Sequence, residues 1–347
     1  MLISQRIVTF FCILILTLSS LLAAESASAC TRILIAAPEQ PVLVGRTMDW
    51  YQDMQTNLVV YPRGIQRDGM ATDSSLQWKS KYGSIVATVF DIAATDGMNE
   101  QGLAAHMLWL DETDFGVRDK SKKAISVVMW VQYMLDNFAT VDEAVKFTQL
   151  SSVQIEALNI PLTDEGINVH LALEDASGDS AIVEYVKGNV QVYHNSKYNV
   201  LTNSPTLDLQ MDNLKHYGGF GGEKSLPGTT DSMDRFVRAT YYAEHLPKAG
   251  ADNEVMTSLL SIIQNVSEPY GVVSNERPVI EPTLWRTVSD LTNKLYYFNS
   301  SDSLGFIWAD TKKFNFNSGA PVLKLDLVKR PNLIGDVTSE FTAIPNK

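Results

Sequence analysis

The chain has 347 residues, 45% of them apolar and 20% charged, and its 40 Asp and Glu against 28 Lys and Arg give a formal net charge of −12. This composition suits a sizeable globular core, and the acidic balance argues against nucleic acid or an anionic membrane surface as the main partner. The two cysteines are Cys12 and Cys30.

The first element is a basic start at Arg6 followed by the apolar run "IVTFFCILILTLSSLLAA" and then small and polar residues, the pattern of a secretory signal peptide. The run is short for a membrane span, and Ala27-Ser28-Ala29 fits the small-residue rule for cleavage before Cys30. The expected organisation is a signal peptide at 1–29 and one mature domain at 30–347, periplasmic or secreted and not held on a membrane. Arg6 and Glu25 leave together, so the net charge of the mature chain stays at −12.

Cleavage also removes Cys12 and makes Cys30 both the lone cysteine and the first residue. A single thiol in an oxidising compartment oxidises or cross-links unless it has a task. At the new terminus it sits beside its own α-amine, whose pKa of roughly 7.7 to 8 suits a general base near neutrality. Nucleophile and base then belong to one residue, the N-terminal nucleophile strategy. His106, His170, His194, His216 and His245 are scattered without metal-ligand spacing, and neither a Gly-x-Ser-x-Gly elbow nor a His-Glu-x-x-His helix competes. No cofactor or metal is implied. The competing reading is an envelope lipoprotein lipidated at Cys30, with the fold serving as a binding module. Against it, Ala27 stands where a lipidation site normally has a large aliphatic residue, and the chain runs at once into a strand.

That strand opens "TRILIAAPEQPVLVGRTMDW", two β-rich runs around Pro38-Glu39-Gln40-Pro41. Pairing Ala37 with Val42 brings Asp49 opposite Cys30, where a carboxylate would orient the α-amine. On this register Arg46 faces away, unless Gly45 or Thr47 marks a bulge. Next, "GSIVATVF" and "GLAAHMLWL" read as strands around a polar turn from Asp96 to Gln101. A helix is expected over about 122–138, and Thr140-Val-Asp-Glu143 is a capping box that starts another. The 167–202 block is β-rich, with turns at "ASGDS" and "KGN". "GGFGGEKS" at 218–225 lacks phosphate-loop spacing and reads as a flexible loop near the site. Helices follow at about 232–246 and 253–265, then strands near 285–290, 294–299, 304–309 and 322–327. Strand pairs alternating with helix pairs predict an α+β fold with helices packed outside two stacked sheets.

Six segments, "CTR" at 30–32, "GRTMDW" at 45–50, "TDGMNEQGL" at 95–103, "NVLTNSP" at 199–205, "LPGTTDSMDRFVR" at 226–238 and "VSDLTNKLYYF" at 288–298, together resemble the choloylglycine hydrolase family of N-terminal nucleophile amidases. This family includes conjugated bile salt hydrolases and penicillin V acylases. The resemblance implies a four-layered αββα sandwich, and its members often form homotetramers. It makes Cys30 nucleophile and base, Asp49 the residue that orients the α-amine, and Arg46 the cation that favours the thiolate. It makes Asn203 an oxyanion donor together with a backbone N–H around Trp109. Arg235 matches the family's remaining active-site arginine, with Arg238 as the alternative one turn later. From the residues alone, Asn203 would cap a turn before Ser204-Pro205 and Arg235 would lie on a solvated helix face.

The resemblance also implies a small-molecule amide substrate with an apolar acyl group. Trp109 follows "AAHML", where bile salt hydrolases tend to carry Asn and penicillin V acylases an aromatic residue; Trp50 and Tyr51 would add aromatic walls unless they are core residues. Signal-bearing members look like the Gram-negative exported branch associated with penicillin V and N-acyl homoserine lactones. The expected activity is therefore an exported acylase on such amides, with conjugated bile salt hydrolysis as the alternative.

Overall fold

The computed structural model describes residues 30–158, 166–247, 252–272 and 281–345, so the signal-peptide reading of 1–29 lies outside the described residues. In chain order the first elements are strands β1 (Thr31–Ile35), β2 (Leu43–Asp49), β3 (Leu58–Tyr61), β4 (Gln66–Asp68), β5 (Gln77–Lys79), β6 (Ser84–Val89), β7 (Ala93–Asn99), β8 (Ala104–Trp109) and β9 (Lys123–Ser126). Helices α1 (Trp130–Asn137) and α2 (Val141–Leu150) come next, then β10 (Val153–Glu156), β11 (Val169–Glu174), β12 (Ser180–Val186), β13 (Asn189–His194) and β14 (Val200–Leu201). Helices α3 (Leu207–Leu214), α4 (Ser232–Glu244) and α5 (Asp252–Val266) precede β15 (Thr283–Asp290), β16 (Leu295–Ser300), β17 (Ile307–Asp310), β18 (Val322–Leu325), β19 (Gly335–Asp336) and β20 (Thr342–Ile344).

Two sheets organise these elements, a seven-stranded one ordered β14-β1-β2-β15-β16-β17-β19 and a nine-stranded one ordered β13-β12-β11-β8-β7-β6-β3-β18-β20. Period-two alternation divides each strand between two cores. Ile85, Met98, Ala104 and Leu108 of the larger sheet join the core built from β1, β2, α4 and α5. Their neighbours Val86, Ala105, Leu171 and Val183 instead pack with Trp130, Leu135 and Ala144 of α1 and α2. The result is the expected α+β stack of helix, sheet, sheet, helix. At Gly45 a Cβ would come within 2.1 Å of Ile263 Cδ1, so this glycine is what lets α5 lie down on β2.

The capping box forms: Thr140 Oγ1 accepts from the Glu143 N–H at 3.3 Å, and Glu143 Oε2 reaches one residue further back than expected, to the Ala139 N–H. The 167–202 strands and the helices on either side of residues 248–251 also fall where expected. Four expectations change. The β1–β2 register pairs Thr31 with Thr47 and Ile35 with Leu43, one residue away from the Ala37–Val42 pairing. Residues 93–99, expected to end in a turn from Asp96, form the central strand β7, whose polar Asp96 faces inward because other buried polar groups meet it there. The helix expected over 122–138 is confined to α1, since 123–126 pair in parallel with β10. Finally, α3 falls in a stretch that carried no element in the sequence reading.

Candidate active site

The one-residue register change decides which side chains meet. Continued by one position, the β1–β2 ladder places Cys30 opposite Met48, so Cys30, Arg46 and Met48 share the face turned toward the larger sheet, with no bulge between β1 and β2. Cys30 Sγ lies 3.8 Å from Met48 Sδ, 3.8 Å from the Asp49 carbonyl oxygen and 3.9 Å from Arg46 Nη2. The Arg46 guanidinium crosses to the larger sheet and is fixed there by donating to the carbonyls of Thr95 and Met107, each at 2.5 Å. Cys30 is 3% exposed; burial pushes its thiol up, with the Arg46 charge pulling the other way and Asp49 adding to the rise.

Asp49 consequently points to the opposite face of β2, behind the thiol. There Thr31 N–H donates to Thr47 Oγ1 at 2.9 Å, and Thr47 Oγ1 donates to Asp49 Oδ2 at 3.0 Å. Asp49 Oδ1 is buried without a hydrogen-bond partner. Burial pushes the Asp49 carboxyl up to about 7, against the pull of Arg235 and of hydroxyls including Thr283 and Thr47. In the full-length chain the Cys30 nitrogen is still in peptide linkage to Ala29. Glu281, buried nearby, is pushed up to about 8 by desolvation and by repulsion from Glu268 and Asp49.

Arg235 and Asn203 close the site from α4 and from the segment after β14. Arg235 is fully buried, which overturns the solvated-face reading, because its guanidinium holds the backbone at Cys30. Its Nη1 donates to the Cys30 carbonyl and to Thr31 Oγ1, both at 2.6 Å, and its Nη2 donates to Asn203 Oδ1 at 2.9 Å. Asn203 Nδ2 donates to the Trp109 carbonyl at 3.0 Å, a long-range bond in place of the expected turn cap. Arg238, the alternative, donates to Asn265 Oδ1 and to the Pro227 and Thr229 carbonyls, and thus ties α5 and the 227–229 segment to α4. Backbone N–H directions alternate along a strand. The Leu110 N–H bonds Asn168 on the β11 side, so the Trp109 N–H points to the open side, where Arg46 and Asn203 meet the Met107 and Trp109 carbonyls.

A largely apolar cleft leads to the thiol, lined by Met48, Trp50, Met54, Phe90, Ile92, Met107, Trp109 and Val128 among others, together with Cys30 and Arg46. The Trp50 and Trp109 rings are tilted together with centroids 5.3 Å apart. Tyr51 does not line the cleft: its ring is tilted against Trp50 with centroids 5.2 Å apart and stays half exposed, because the next position on the chain faces outward. The glycine-rich 218–225 segment is also not part of this cleft, since Phe220 packs on Tyr241 of α4. Sequence reasoning did not find the Thr47 hydroxyl that links the Thr31 N–H to Asp49, or the Met, Phe and Ile walls. Strand alternation around β8 was the available signal for Met107, whereas the others come together only through the stacking of the sheets.

This arrangement coincides with what comparison of the chain finds. Residues 30–324 match the family model of linear amide C-N hydrolases, choloylglycine hydrolase family. Penicillin V acylase of Pectobacterium atrosepticum is 40% identical over 346 residues, covering 93% of this chain and 92% of that one. The solved structure of penicillin V acylase from Agrobacterium tumefaciens superposes with a TM-score of 0.83 at 41% identity, covering 91% of this chain and 98% of that one. A bile salt hydrolase/transferase of Clostridium perfringens is 26% identical over 317 residues, covering 83% and 94%. With the two-sheet fold, the buried cysteine and the cleft before it, these likenesses place the chain in the choloylglycine hydrolase family of linear amide C-N hydrolases.

Proposed function

We propose that the chain is exported, cleaved after Ala29, and acts as an acylase in which Cys30 attacks amides of penicillin V or N-acyl homoserine lactone type. The observation that carries this reading is the placement of Cys30 Sγ at the end of an apolar cleft with the Arg46 guanidinium at 3.9 Å. The family match begins at Cys30, which supports the cleavage point. The thiol is buried and faces the cleft, a position that opposes the lipoprotein alternative, because a diacylglyceryl group needs a thiol open to the surface. Periplasmic or secreted location and the homotetramer follow from the same reading.

In the proposed reaction the α-amine takes the Cys30 proton, and the thiolate adds to the substrate carbonyl. Burial keeps the free thiol protonated, so a base at the α-position is needed, while Arg46 stabilises the charge that appears on sulfur. Asp49, whose buried Oδ1 has no hydrogen-bond partner, orients the new ammonium. The second hydrogen on Asn203 Nδ2 and the Trp109 N–H receive the oxyanion. Arg235 fixes both the Cys30 carbonyl and the Asn203 amide, so it sets nucleophile and donor relative to each other. The ammonium then protonates the leaving nitrogen, the C–N bond breaks, and the amine departs from a thioester. Water, deprotonated by the α-amine, adds to the thioester; the C–S bond breaks, and the acid is released with Cys30 restored.

Trp50 and Trp109 favour a flat phenoxyacetyl or an extended alkyl group against the cleft wall, and this separates the reading from conjugated bile salt hydrolysis. Steady-state hydrolysis of penicillin V, an N-acyl homoserine lactone and a glycine-conjugated bile salt by one purified sample tests it. Preference for the first two is expected; preference for the bile salt would overturn the substrate assignment.

A further inference from the structure

A second constellation runs between the sheets, away from the cleft, and ends on Arg46. His106 of β8 presents Nδ1 to Asp96 Oδ2 at 2.6 Å and Nε2 to Glu174 Oε2 at 3.1 Å. Arg32 Nε lies 2.7 Å from Glu174 Oε1, and Asp96 Oδ2 lies 3.7 Å from Arg46 Nη1. The Glu174 contacts are close ion pairs whose angles fall outside hydrogen-bond alignment. All five side chains are fully buried. Asp96 also accepts from Tyr296 Oη at 2.5 Å and Thr287 Oγ1 at 3.2 Å, so every bond it makes is one that an ionised carboxylate accepts. His106 Nδ1 bonds the Asp96 carboxylate and Nε2 lies within ion-pair distance of the Glu174 carboxylate, so a carboxylate flanks each side of the ring, a setting that favours the imidazolium form. Burial alone would push the imidazolium down, but the two carboxylates outweigh it and hold His106 up to about 9.

The charges then alternate in one row: Arg32, Glu174, His106, Asp96, Arg46. Buried charges of this kind are tolerated only when each has an opposite neighbour. The last cation faces Cys30 Sγ. If His106 were neutral, Asp96 would draw the Arg46 charge to itself and leave less for the sulfur. We propose that protonated His106 is a positioning residue of the reaction: by neutralising Asp96 it leaves the Arg46 charge available to the Cys30 thiolate. This rests on the reading of Cys30 as the nucleophile. The charged and titratable groups on the face of the row are Cys30 just before β1, Arg32 on β1, Arg46 on β2, Asp96 on β7, Glu174 and His170 on β11, Glu184 on β12 against His170, and Tyr296 on β16; Asp49 lies on the other face of β2.

Electrostatics predict opposite signs for two near-isosteric changes. His106→Gln removes a positive charge and is expected to raise the apparent pKa of Cys30 by about one unit, lowering its alkylation rate about tenfold on the acid side. Asp96→Asn removes the negative charge that competes for Arg46 and is expected to lower that pKa, and Arg46 stays in place because the Thr95 and Met107 carbonyls still hold it. The experiment is the pH dependence of Cys30 alkylation by iodoacetamide in the processed enzyme, with Cys30→Ala as the control that identifies the alkylated residue by mass. Nitrogen-15 NMR of histidine-labelled, unsubstituted enzyme adds a measurement that no folding defect can blur, and His106 is expected to keep both ring nitrogens protonated at pH 7.5. Shifts of the same sign in the two variants, no shift in either, or a neutral His106 ring would overturn the inference while leaving the nucleophile reading intact. A parent enzyme that turns over substrate with Cys30 unreactive, or a Cys30→Ala variant that remains active, would remove that reading and the inference with it.

Discussion

Asn203→Ala separates the structural from the catalytic work of one side chain. The Asn203 amide is 2% exposed and makes two bonds, accepting from Arg235 Nη2 at 2.9 Å and donating to the Trp109 carbonyl at 3.0 Å. A bond to a charged donor contributes about 1.5–3 kcal/mol and a neutral one about 0.5–1.5 kcal/mol, so truncation should cost roughly 2–4 kcal/mol of stability. The melting temperature should fall by roughly 3–6 °C, at about 1.5 °C per kcal/mol for a chain of this size. Loss of an oxyanion donor should separately lower kcat by about 10²–10³. The assay is release of free amine from penicillin V under saturating conditions, run well below the variant's melting temperature. A kcat within about threefold of the parent, or a loss confined to KM, would refute the donor role and leave Asn203 as a fastener between Arg235 and β8.

Gly45→Ala should destabilise by about 1–3 kcal/mol, read by urea unfolding, because the new Cβ meets Ile263 and Leu259 of α5; an unchanged midpoint would contradict that packing. The raised carboxyls give a stability profile for the chain that still carries residue 29. With Asp49 at about 7 and Glu281 at about 8, the folded form binds more protons than the unfolded one. Stability is therefore full below the ordinary carboxyl pKa and is lost as pH rises through 7–8. A form whose cleavage is blocked by Ala29→Leu should melt lower at pH 8.5 than at pH 5, and the pair Asp49→Asn and Glu281→Gln should flatten the difference; an equal slope with and without the pair would contradict the assignment. Trp109→Ala should raise KM for penicillin V roughly 2–10-fold from the lost aromatic contact, and an unchanged KM would place the acyl group elsewhere in the cleft.

Local signals in the sequence carried the regular elements well. The capping box at Thr140, the turns at 176–180 and 187–189, and the strand alternation of β11 and β12 each act over a few residues, and each is found in the fold. What could not be read locally was set by contacts between layers. Asp96 looks like a turn residue until Tyr296 and Thr287, about 200 positions away, supply its partners. His106 belonged to no motif because the carboxylate on its Nε2 side comes from another strand, β11. The β1–β2 register is off by one because turn residues 38–41 allow two pairings, and the choice follows from burying Arg46 beside Cys30 and Asp49 behind it. Arg235 could be assigned a role only by resemblance, since its partners Cys30, Thr31 and Asn203 lie far away in sequence.

The most direct test of the central claim is the intact mass and N-terminal sequence of the protein recovered from an exporting host, with penicillin V hydrolysis measured on the same sample. The account predicts a chain that begins with unmodified Cys30 and releases phenoxyacetate. A chain that retains the residues before Cys30, or carries a diacylglyceryl mass on it, and shows no amidase activity would contradict the claim that Cys30 is an N-terminal nucleophile.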